Sequence, residues 1–337
     1  MNQEREMAMT PYQPPFTITP EILSLTVEIG ELIGQINTSS ALSASPVLRR
    51  TNRIRSVYSS LAIEQNTLSL AQVTDVLYGK RVLAPPKDIA EVKNAYEIYE
   101  HLEELDPFDV DDLLKSHGIM VRGLVDEAGQ FRSGNVGVVD SKGQILHFGT
   151  LPQYIPDMVE KLLNWVKNSD LPILIKSCVF HYEFEVIHPF ADGNGRVGRL
   201  WHTLLLSKWQ SVFAWLPVES IIHDRQAKYY EAINDSNQQA DSTPFITFML
   251  SAIKTAILET IAASEKARKI QTKIGSEDRW TIVEKWLKKH TRMRNADLQN
   301  LLGISTATAS RLLREWTSEG KIVKERKGSY WTYRLRK

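Results

Sequence analysis

The 337-residue chain has a single cysteine, Cys178, and this scarcity excludes several classes of protein. One cysteine cannot form an internal disulfide, so a disulfide-stabilised secreted fold is ruled out. Cys178 lies in the apolar run ILIKSCVF, which favours a buried, unreactive thiol over a reactive one.

Long apolar runs and targeting features are also missing. No apolar stretch approaches the roughly 20 residues that span a bilayer, and the N-terminal MNQEREMAMTPYQPPF lacks the basic start and apolar stretch of a secretory signal. We therefore expect a cytoplasmic protein without a membrane partner. The composition, 42% hydrophobic and 24% charged, is that of an ordinary globular protein.

The net charge of +1 conceals an uneven distribution. Residues 277–337 carry 15 basic and 7 acidic side chains, which leaves 26 basic and 33 acidic side chains for the rest of the chain. A basic tail on an acidic body indicates two parts with different partners.

Apolar residues recur at three- and four-residue spacing along most of the chain, which predicts a mainly α fold. Thr19 and Pro20 have the residue types of an N-cap and a first helical position. Residues 129–149 differ, because β-branched residues alternate around Asp140–Gly143 and predict a hairpin. The sequence Ile274-Gly275-Ser276 suggests a domain boundary.

The stretch HPFADGNGRVGR, residues 188–199, concentrates the chemistry. Pro189 disfavours a helix beyond His188, which places this histidine at the lip of a loop. The glycines and Asn194 allow the loop to curl, and a helix beginning near Arg196 would point its N-terminal N–H groups into the loop. Arg196 and Arg199 share a helix face, so the stretch predicts a polyphosphate site.

Two further roles follow from the residue types. Asp192 would repel a phosphate unless a cation lies between them, so we interpret it as an anchor for Mg²⁺. An unperturbed histidine has a pKa of about 6.5, which suits His188 to act as a general base on a hydroxyl. The sequence lacks the HExxH and cysteine patterns of zinc sites, the acidic repeat of a calcium loop and the GxxxxGK[ST] of a P-loop.

The same stretch matches without a gap the Fic signature HPFx[DE]GNGRxxR, and the chain resembles that family over roughly residues 20–270. The resemblance implies a Fic-type helical bundle that uses Mg²⁺ and ATP to transfer AMP to a Ser, Thr or Tyr hydroxyl of a protein. By this resemblance His188 is the base and Asp192 holds the metal. The implied nucleotide-binding residues are Gly193, Asn194, Gly195, Arg196, Val197, Gly198 and Arg199, with Tyr229, Tyr230 and Asn237 at the adenine. The hairpin resembles a flap that docks the target through Val136, Gly137, Val138 and Val139.

An upstream motif, SSLAIEQN at 59–66, resembles the family's inhibitory sequence [ST]xxxE[GN]. The resemblance implies that Ser60 and Glu64, on a helix at about 44–66, restrain Arg199 and block a productive ATP pose. Gln65 departs from the pattern, which has Gly or Asn at this position. The same glutamate could instead position water for removal of AMP.

The basic tail resembles a winged helix-turn-helix domain. A helix, a helix-turn-helix and a two-stranded wing are predicted over 277–337, with Ser305 as an N-cap. The candidate DNA contacts are Arg311, Arg314, Lys324, Arg326 and Lys327, and a protein partner is the alternative. We divide the remainder into an N-terminal helical region at 1–110 and a Fic core at 111–273.

The leading hypothesis is an autoinhibited, Mg²⁺- and ATP-dependent protein adenylyltransferase, with the chain itself among the candidate targets and a homo-oligomer among the candidate assemblies. The intact GNGR core favours AMP over the group transferred by Doc-type kinases. Two alternatives stay open: a Fic enzyme that transfers another phosphate-containing group, and a transcriptional regulator whose Fic body senses nucleotide.

Overall fold

The computed structural model describes residues 12–38, 46–139, 145–276, 279–327 and 330–336. Most of this part of the chain is helical, and its strands form two short hairpins. The predicted mainly α fold with a hairpin inside it is confirmed.

The helices of the described residues are α1 Pro20–Thr38, α2 Pro46–Ile63, α3 Leu70–Leu77, α4 Pro86–Glu100, α5 Val110–Met120, α6 Ile155–Asn168, α7 Ile173–Ile187, α8 Asn194–Trp209, α9 Val218–Asp224, α10 Gln226–Gln239, α11 Thr243–Ser276, α12 Arg279–His290, α13 Asn295–Leu302 and α14 Thr306–Ser318. The strands are β1 Gly137–Val139, β2 Ile145–Phe148, β3 Ile322–Lys327 and β4 Tyr330–Leu335. Three short 3-10 helices cover Leu102–Glu104, Pro152–Tyr154 and Ser211–Trp215.

Several helix ends follow directly from local sequence. At α1, Thr19 Oγ1 accepts the N–H of Ile22 at 3.2 Å, and Pro20 takes the first helical position, as predicted. At α3, Ser69 and Gln72 form a capping box in which each side chain accepts the other's backbone N–H. Such caps satisfy N–H groups that have no partner inside the helix.

The described chain divides into two compact units. One takes in the described residues up to Gln35 and from 49 to 258, and the other takes in those of 36–48 and 259–337. The first unit therefore joins the predicted N-terminal region and Fic core, and the boundary at 110 stays a prediction.

The change between units falls between residues 258 and 259, inside α11, and the domain boundary predicted at 274–276 stays a prediction. This helix continues without a break to Ser276. Among the described residues, only 243–265 meet the length and composition of a membrane span, with a mean hydropathy of 1.6, although Lys254 and Glu259 interrupt the apolar run. Half of that stretch is buried in the structure, and a core helix meets the same criteria.

The core of the first unit is built around α7 and α8. Helix α7 is buried on nearly every side, which explains why its sequence is apolar around its whole circumference. Gly198 lets α8 approach it closely, since a methyl group there would lie 3.2 Å from His181 Cδ2 and 3.0 Å from Glu185 Oε1. This close pair of helices positions the loop between them, residues 188–193.

The first hairpin pairs β1 with β2 in antiparallel register, with Gly137 opposite Phe148 and Val138 opposite His147. Val136 precedes β1, and its carbonyl accepts the N–H of Gly149 at 3.1 Å, which closes the base of the hairpin. The predicted turn at Asp140–Gly143 lies outside the described residues.

The second unit has a hydrophobic core of its own. Helices α12, α13 and α14 pack with the antiparallel β3–β4 hairpin around apolar side chains that include Val283, Leu298, Leu313 and Trp316. Ser305 caps α14 by accepting the N–H of Thr308 at 3.2 Å, as its position before the helix predicts.

Candidate active site

His188 lies immediately after α7 in a left-handed conformation, with φ of 52°. Its N–H still donates to Phe184 O at 3.0 Å, while Pro189 prevents the helix from continuing. Nδ1 lies 3.2 Å from the carbonyl oxygen of Glu185, which can only accept. The proton of the neutral imidazole is therefore on Nδ1, and the basic lone pair is on Nε2.

The loop after His188 is held by buried contacts from within and from outside the motif. The Asn194 amide accepts from Phe190 N at 2.9 Å and donates to Phe190 O at 2.8 Å, which closes the loop. The ring of His117, on α5, stacks on Phe190 with centroids 3.7 Å apart. Its Nδ1 accepts the N–H of Gly129 at 3.0 Å, and its Nε2 lies 3.0 Å from Asp192 O. Burial lowers the pKa of His117, which agrees with a neutral ring that donates to Asp192.

Gly193 makes the turn into α8 with φ of 89°. A side chain there would also place its Cβ 2.8 Å from Val121 Cγ1, so both the backbone conformation and the available space require glycine at this position. Helix α8 begins at the next residue, and its first N–H groups, which lack partners inside the helix, face the loop.

Two ion pairs lie beside the loop at 188–193, and the first joins Asp192 to Arg196. Arg196 donates to Asp192 Oδ1 at 2.7 Å and to Glu91 Oε1, on α4, at 3.2 Å. Burial would raise the pKa of Asp192, but Arg196 and the N–H of Gly193 outweigh it and lower that pKa. The Asp192 side chain is 48% exposed, so its carboxylate is accessible from solvent.

Arg199 and Glu64 form the second ion pair. The guanidinium of Arg199 donates to Ser60 Oγ and Ser60 O, each at 3.0 Å, and to Glu64 Oε1 at 2.7 Å. The carboxylate of Glu64 also lies against Gly195, because a methyl group there would collide with Glu64 Oε1. A carboxylate thus occupies the N-terminus of α8 beside a buried arginine, which is the environment that binds phosphate.

The end of α2 explains how Glu64 reaches this position. The helix ends at Ile63, within the predicted span of about 44–66, because Gln65 is left-handed with φ of 66°. The N–H of Asn66 donates to Leu61 O and that of Gln65 to Ala62 O, each at 3.1 Å, which is the Schellman pattern. Gln65 takes the place where Gly or Asn is usual, and Glu64 is the last residue before the turn.

A buried polar cluster lies beneath Arg199 on α7 and its neighbours. Burial lowers the pKa of His181 well below its usual value and that of His202 to about 4, so both rings are neutral near pH 7. Burial raises the pKa of Glu185 to about 7, with Arg199 opposing and Glu64 adding to the effect. Glu185 Oε1 has no hydrogen-bond partner among the described residues.

The expected adenine residues do not share one environment. Tyr229 is only 2% exposed, and its hydroxyl lies 3.2 Å from His181 Nε2, so it packs in the core instead of lining an open surface. Tyr230 is 45% exposed, and Asn237 Oδ1 accepts the Tyr182 hydroxyl at 2.9 Å. Adjacent tyrosines on a helix face different directions, which accounts for the difference.

Of the expected DNA contacts, Arg311, Arg314, Lys324 and Arg326 have exposed side chains in the second unit. Arg311 and Arg314 are exposed on α14, where Arg311 pairs with Glu315 at 3.3 Å. Lys324 Nζ and Arg326 Cζ lie 4.2 Å and 6.0 Å from the ring centre of Trp331, itself 51% exposed. Lys327 is the last residue of β3.

Three buried residues at the site have no signal in the sequence motif. Glu91 pairs with Arg196, His117 holds the loop, and Arg132 donates to the carbonyl oxygen of His188 at 2.7 Å. They come from separate elements at 56 to 105 positions from their partners, and neither periodicity nor spacing relates them to the motif.

The sequence model described as the Fic/DOC family matches residues 107–206. A solved structure of a Fic family protein from Desulfovibrio desulfuricans is 41% identical, with a TM-score of 0.74, and the match covers 96% of this chain and 98% of that one. A solved structure of Fic-1 from Caenorhabditis elegans, 23% identical with a TM-score of 0.60, covers 73% of each chain and supports the fold alone.

Curated relatives carry the name protein adenylyltransferase. The fic-1 protein of Caenorhabditis elegans is 30% identical over 239 residues, which are 66% of this chain and 44% of that protein. The Fic protein of Nematostella vectensis is 28% identical over 62% of this chain and 48% of its own length. The chain thus spans about half the length of the curated relatives that it matches.

Proposed function

The chain belongs to the Fic family, and we propose that it is a protein adenylyltransferase that transfers AMP from ATP to a Ser, Thr or Tyr hydroxyl of a protein. One observation carries the proposal. The Glu64 carboxylate occupies the N-terminus of α8 against Gly195 and Arg199, and so marks a place for an anionic group. His188 lies at the lip of the same loop, and the contact of its Nδ1 with Glu185 O at 3.2 Å makes Nε2 the basic nitrogen of the ring.

In the proposed reaction, the hydroxyl oxygen of the target attacks the α-phosphorus of ATP. Nε2 of His188 takes the hydroxyl proton as the new P–O bond forms, the bond from the α-phosphorus to the bridging oxygen breaks, and pyrophosphate leaves. The N–H groups of Asn194 and Gly195 at the start of α8 stabilise the charge that develops on the attacked phosphoryl group. Arg196 and Arg199 bind the outer phosphates by two-pronged hydrogen bonds.

The residues at the loop fit a nucleotide-bound Mg²⁺ rather than a resident metal site. No group of three or more His, Cys, Asp or Glu side chains suited to a metal occurs among the described residues. Asp192 is an exposed carboxylate with a lowered pKa, and one carboxylate with phosphate oxygens and water is a usual Mg²⁺ environment. Asp192 would hold the ion, whose charge would offset that of the phosphates.

Glu64 is the proposed inhibitor of this reaction. Its contact with Arg199 supports the idea, because a guanidinium already bound to a carboxylate is not available to the terminal phosphate of ATP. Burial would lower the pKa of Arg199, but Glu64 reverses the effect and the pKa is raised. In this proposal ATP binds productively only after Glu64 moves away from Gly195 and Arg199.

The flap is the proposed docking element for the target. In the described residues its sheet has two strands, so a target segment can add to one edge of β1 by backbone hydrogen bonds. Tyr230 and Asn237 are the proposed adenine contacts, whereas buried Tyr229 supports the pocket from within the core. The cytoplasm is the proposed location.

We propose DNA as the partner of the second unit, which would make a transcriptional role the second candidate function. Two observations support this assignment: Arg311 and Arg314 are exposed on α14, and two cationic side chains of β3 lie near the ring of Trp331 on β4. An exposed helix and hairpin with cations suit groove and phosphate contacts.

Labelled ATP distinguishes AMP transfer from phosphoryl transfer and from nucleotide sensing without catalysis. Incubation with ATP labelled on the α-phosphorus should label protein, and ATP labelled on the γ-phosphorus should not, because pyrophosphate leaves. His188→Ala should abolish the label. Retained γ-label would indicate phosphoryl transfer, and absence of any label, even in Glu64→Gly, would indicate a nucleotide sensor.

A further inference from the structure

Arg132 is a buried cation whose described partners are all backbone carbonyls. The residue is 2% exposed and precedes the flap. Its Nε donates to His188 O at 2.7 Å, and Nη1 donates to Gly134 O at 2.7 Å. Nη2 donates to Thr150 O at 2.5 Å and lies 3.4 Å from Ile187 O.

These carbonyls belong to two different parts of the site. Ile187 is the last residue of α7 and His188 follows it, whereas Gly134 and Thr150 lie just before β1 and just after β2. One guanidinium therefore connects both ends of the flap to the backbone of His188. Two backbone bonds run alongside it, from Arg132 N to Pro189 O at 3.0 Å and from Thr150 N to Ile187 O at 3.1 Å.

Gly149 shows how closely these parts pack. A methyl group on Gly149 would lie 2.7 Å from Arg132 Nη2, 3.0 Å from Val136 Cγ2 and 3.2 Å from His188 Cβ. The first distance is shorter than Cβ contacts in proteins, so any side chain at this position would push the guanidinium or the histidine away.

The chemistry of arginine explains why it suits this position. Its planar guanidinium carries five donors in a fixed fork, so it can bond several carbonyls at once, whereas a lysine ammonium is a point charge on a flexible stem. A cation at the C-terminus of α7 also offsets the negative end of that helix. His188 is left-handed, a strained conformation that persists only when surrounding contacts enforce it.

We propose that Arg132 is a positioning residue that couples the target-docking flap to His188. This proposal rests on the proposed function, in which the flap docks the target and His188 is the base. Arg132 holds both, so the flap and His188 move together. Among the described residues, the hydrogen bonds of the Arg132 side chain go to these backbone carbonyls and to none of the proposed phosphate-binding side chains. Its loss should therefore reduce turnover and leave ATP binding unchanged.

The test compares Arg132→Met, Arg132→Lys and Gly149→Ala in the full chain carrying Glu64→Gly. Arg122→Met is the matched control, because Arg122 is an exposed arginine paired with Glu97 at 2.6 Å. We expect Arg132→Met to lower kcat by about 100-fold, the loss typical of a displaced reacting group, with the Kd for Mg-ATP within about twofold of the parent. Arg132→Lys should recover part of the loss, and Gly149→Ala should reproduce it if Arg132→Met does not fold.

Amide hydrogen exchange provides a measurement that needs no activity. In Arg132→Met the amides of Gly149, Thr150 and His188 should exchange at least about tenfold faster than in the parent, while the amides of α13 should exchange at the parent's rate. In Arg122→Met the same three amides should exchange at the parent's rate. If the parent transfers no AMP, the proposed function fails and the exchange result still decides the coupling. Unchanged exchange at these amides, unchanged kcat, or a parallel loss of ATP affinity would each overturn the inference.

Discussion

Glu64 Oε1 lies 2.7 Å from Arg199 Nη2, although 135 positions separate the two residues in the chain. The arginine side chain is 2% exposed and the glutamate side chain is 36% exposed, so the pair lies at the edge of the core with its cation inside. A buried cation that loses its carboxylate needs another anion nearby. The terminal phosphates of ATP are such anions, which connects the ion pair to the proposed control of the enzyme.

The first prediction concerns the turn that presents Glu64. Gln65→Gly should raise the free energy of unfolding by about 0.5–1 kcal/mol, because a left-handed residue with a Cβ costs about 1–2 kcal/mol and glycine's greater unfolded-state entropy offsets part of the gain. Gln65→Ala keeps the Cβ and should gain nothing. Denaturant unfolding measures both, and equal stabilities for Gln65→Gly and Gln65→Ala would refute the strain at this turn.

The second prediction uses the pKa of Glu185, which burial raises to about 7 from an ordinary 4.5. Between those values the native carboxyl keeps a proton that the unfolded chain has released, so the free energy of unfolding falls as pH rises, by up to about 3 kcal/mol. Glu185→Gln cannot ionise, and its stability relative to the parent should rise across this window.

Denaturant unfolding at several pH values between those limits tests the sign. Glu259→Gln is the control, since Glu259 is exposed and the stability of this variant should follow that of the parent. Parallel curves for Glu185→Gln and the parent would show that Glu185 titrates at its ordinary pKa.

The third prediction concerns Mg²⁺. Asp192→Asn removes the carboxylate but keeps the shape, and should raise the Mg²⁺ concentration for half-maximal AMP transfer by about tenfold or more, since even outer contacts of a metal site are worth about 10–100-fold. Asp224→Asn, at a carboxylate that is 67% exposed, is the control. An unchanged Mg²⁺ requirement in Asp192→Asn would remove Asp192 from the proposed metal site.

The fourth prediction tests the second unit. Replacing Lys324 and Arg326 together by Ala should weaken DNA binding and reduce the slope of log K against log salt by about 2, as expected for two lost phosphate contacts. The same change at Lys80 and Lys161, two lysines of the first unit, should have no effect. If both double variants bind DNA like the parent, the β3–β4 hairpin is not the DNA contact.

The sequence was most informative where the chemistry is contiguous. Residues 188–199 carry the proposed base, the turn glycines and both arginines, and each residue type has a local reason for its place, so their arrangement could be predicted together. The cap at Thr19 and the hairpin at 129–149 are likewise local signals. The Glu64–Arg199 contact could be expected only from family resemblance, because nothing in spacing relates α2 to α8.

Other features depended on packing. Arg132 and His117 act through backbone carbonyls, and any part of the chain can supply a carbonyl, so no pairing of residue types indicates their partners. The difference between Tyr229 and Tyr230 depends on which face α10 buries, and two adjacent tyrosines do not determine that face. Gln65 became left-handed because the turn after α2 requires it, against the usual preference of the residue.

The most direct measurement of the proposed mechanism is the initial rate of self-labelling from ATP labelled on the α-phosphorus, for the parent chain and for Glu64→Gly. A charge-assisted hydrogen bond to a buried arginine is worth about 1.5–3 kcal/mol, so releasing it should raise the rate by about 10- to 100-fold. Adding His188→Ala to Glu64→Gly should return the label to background. Equal rates for the parent and Glu64→Gly would contradict control by Glu64, and label that persists without His188 would contradict its role as the base.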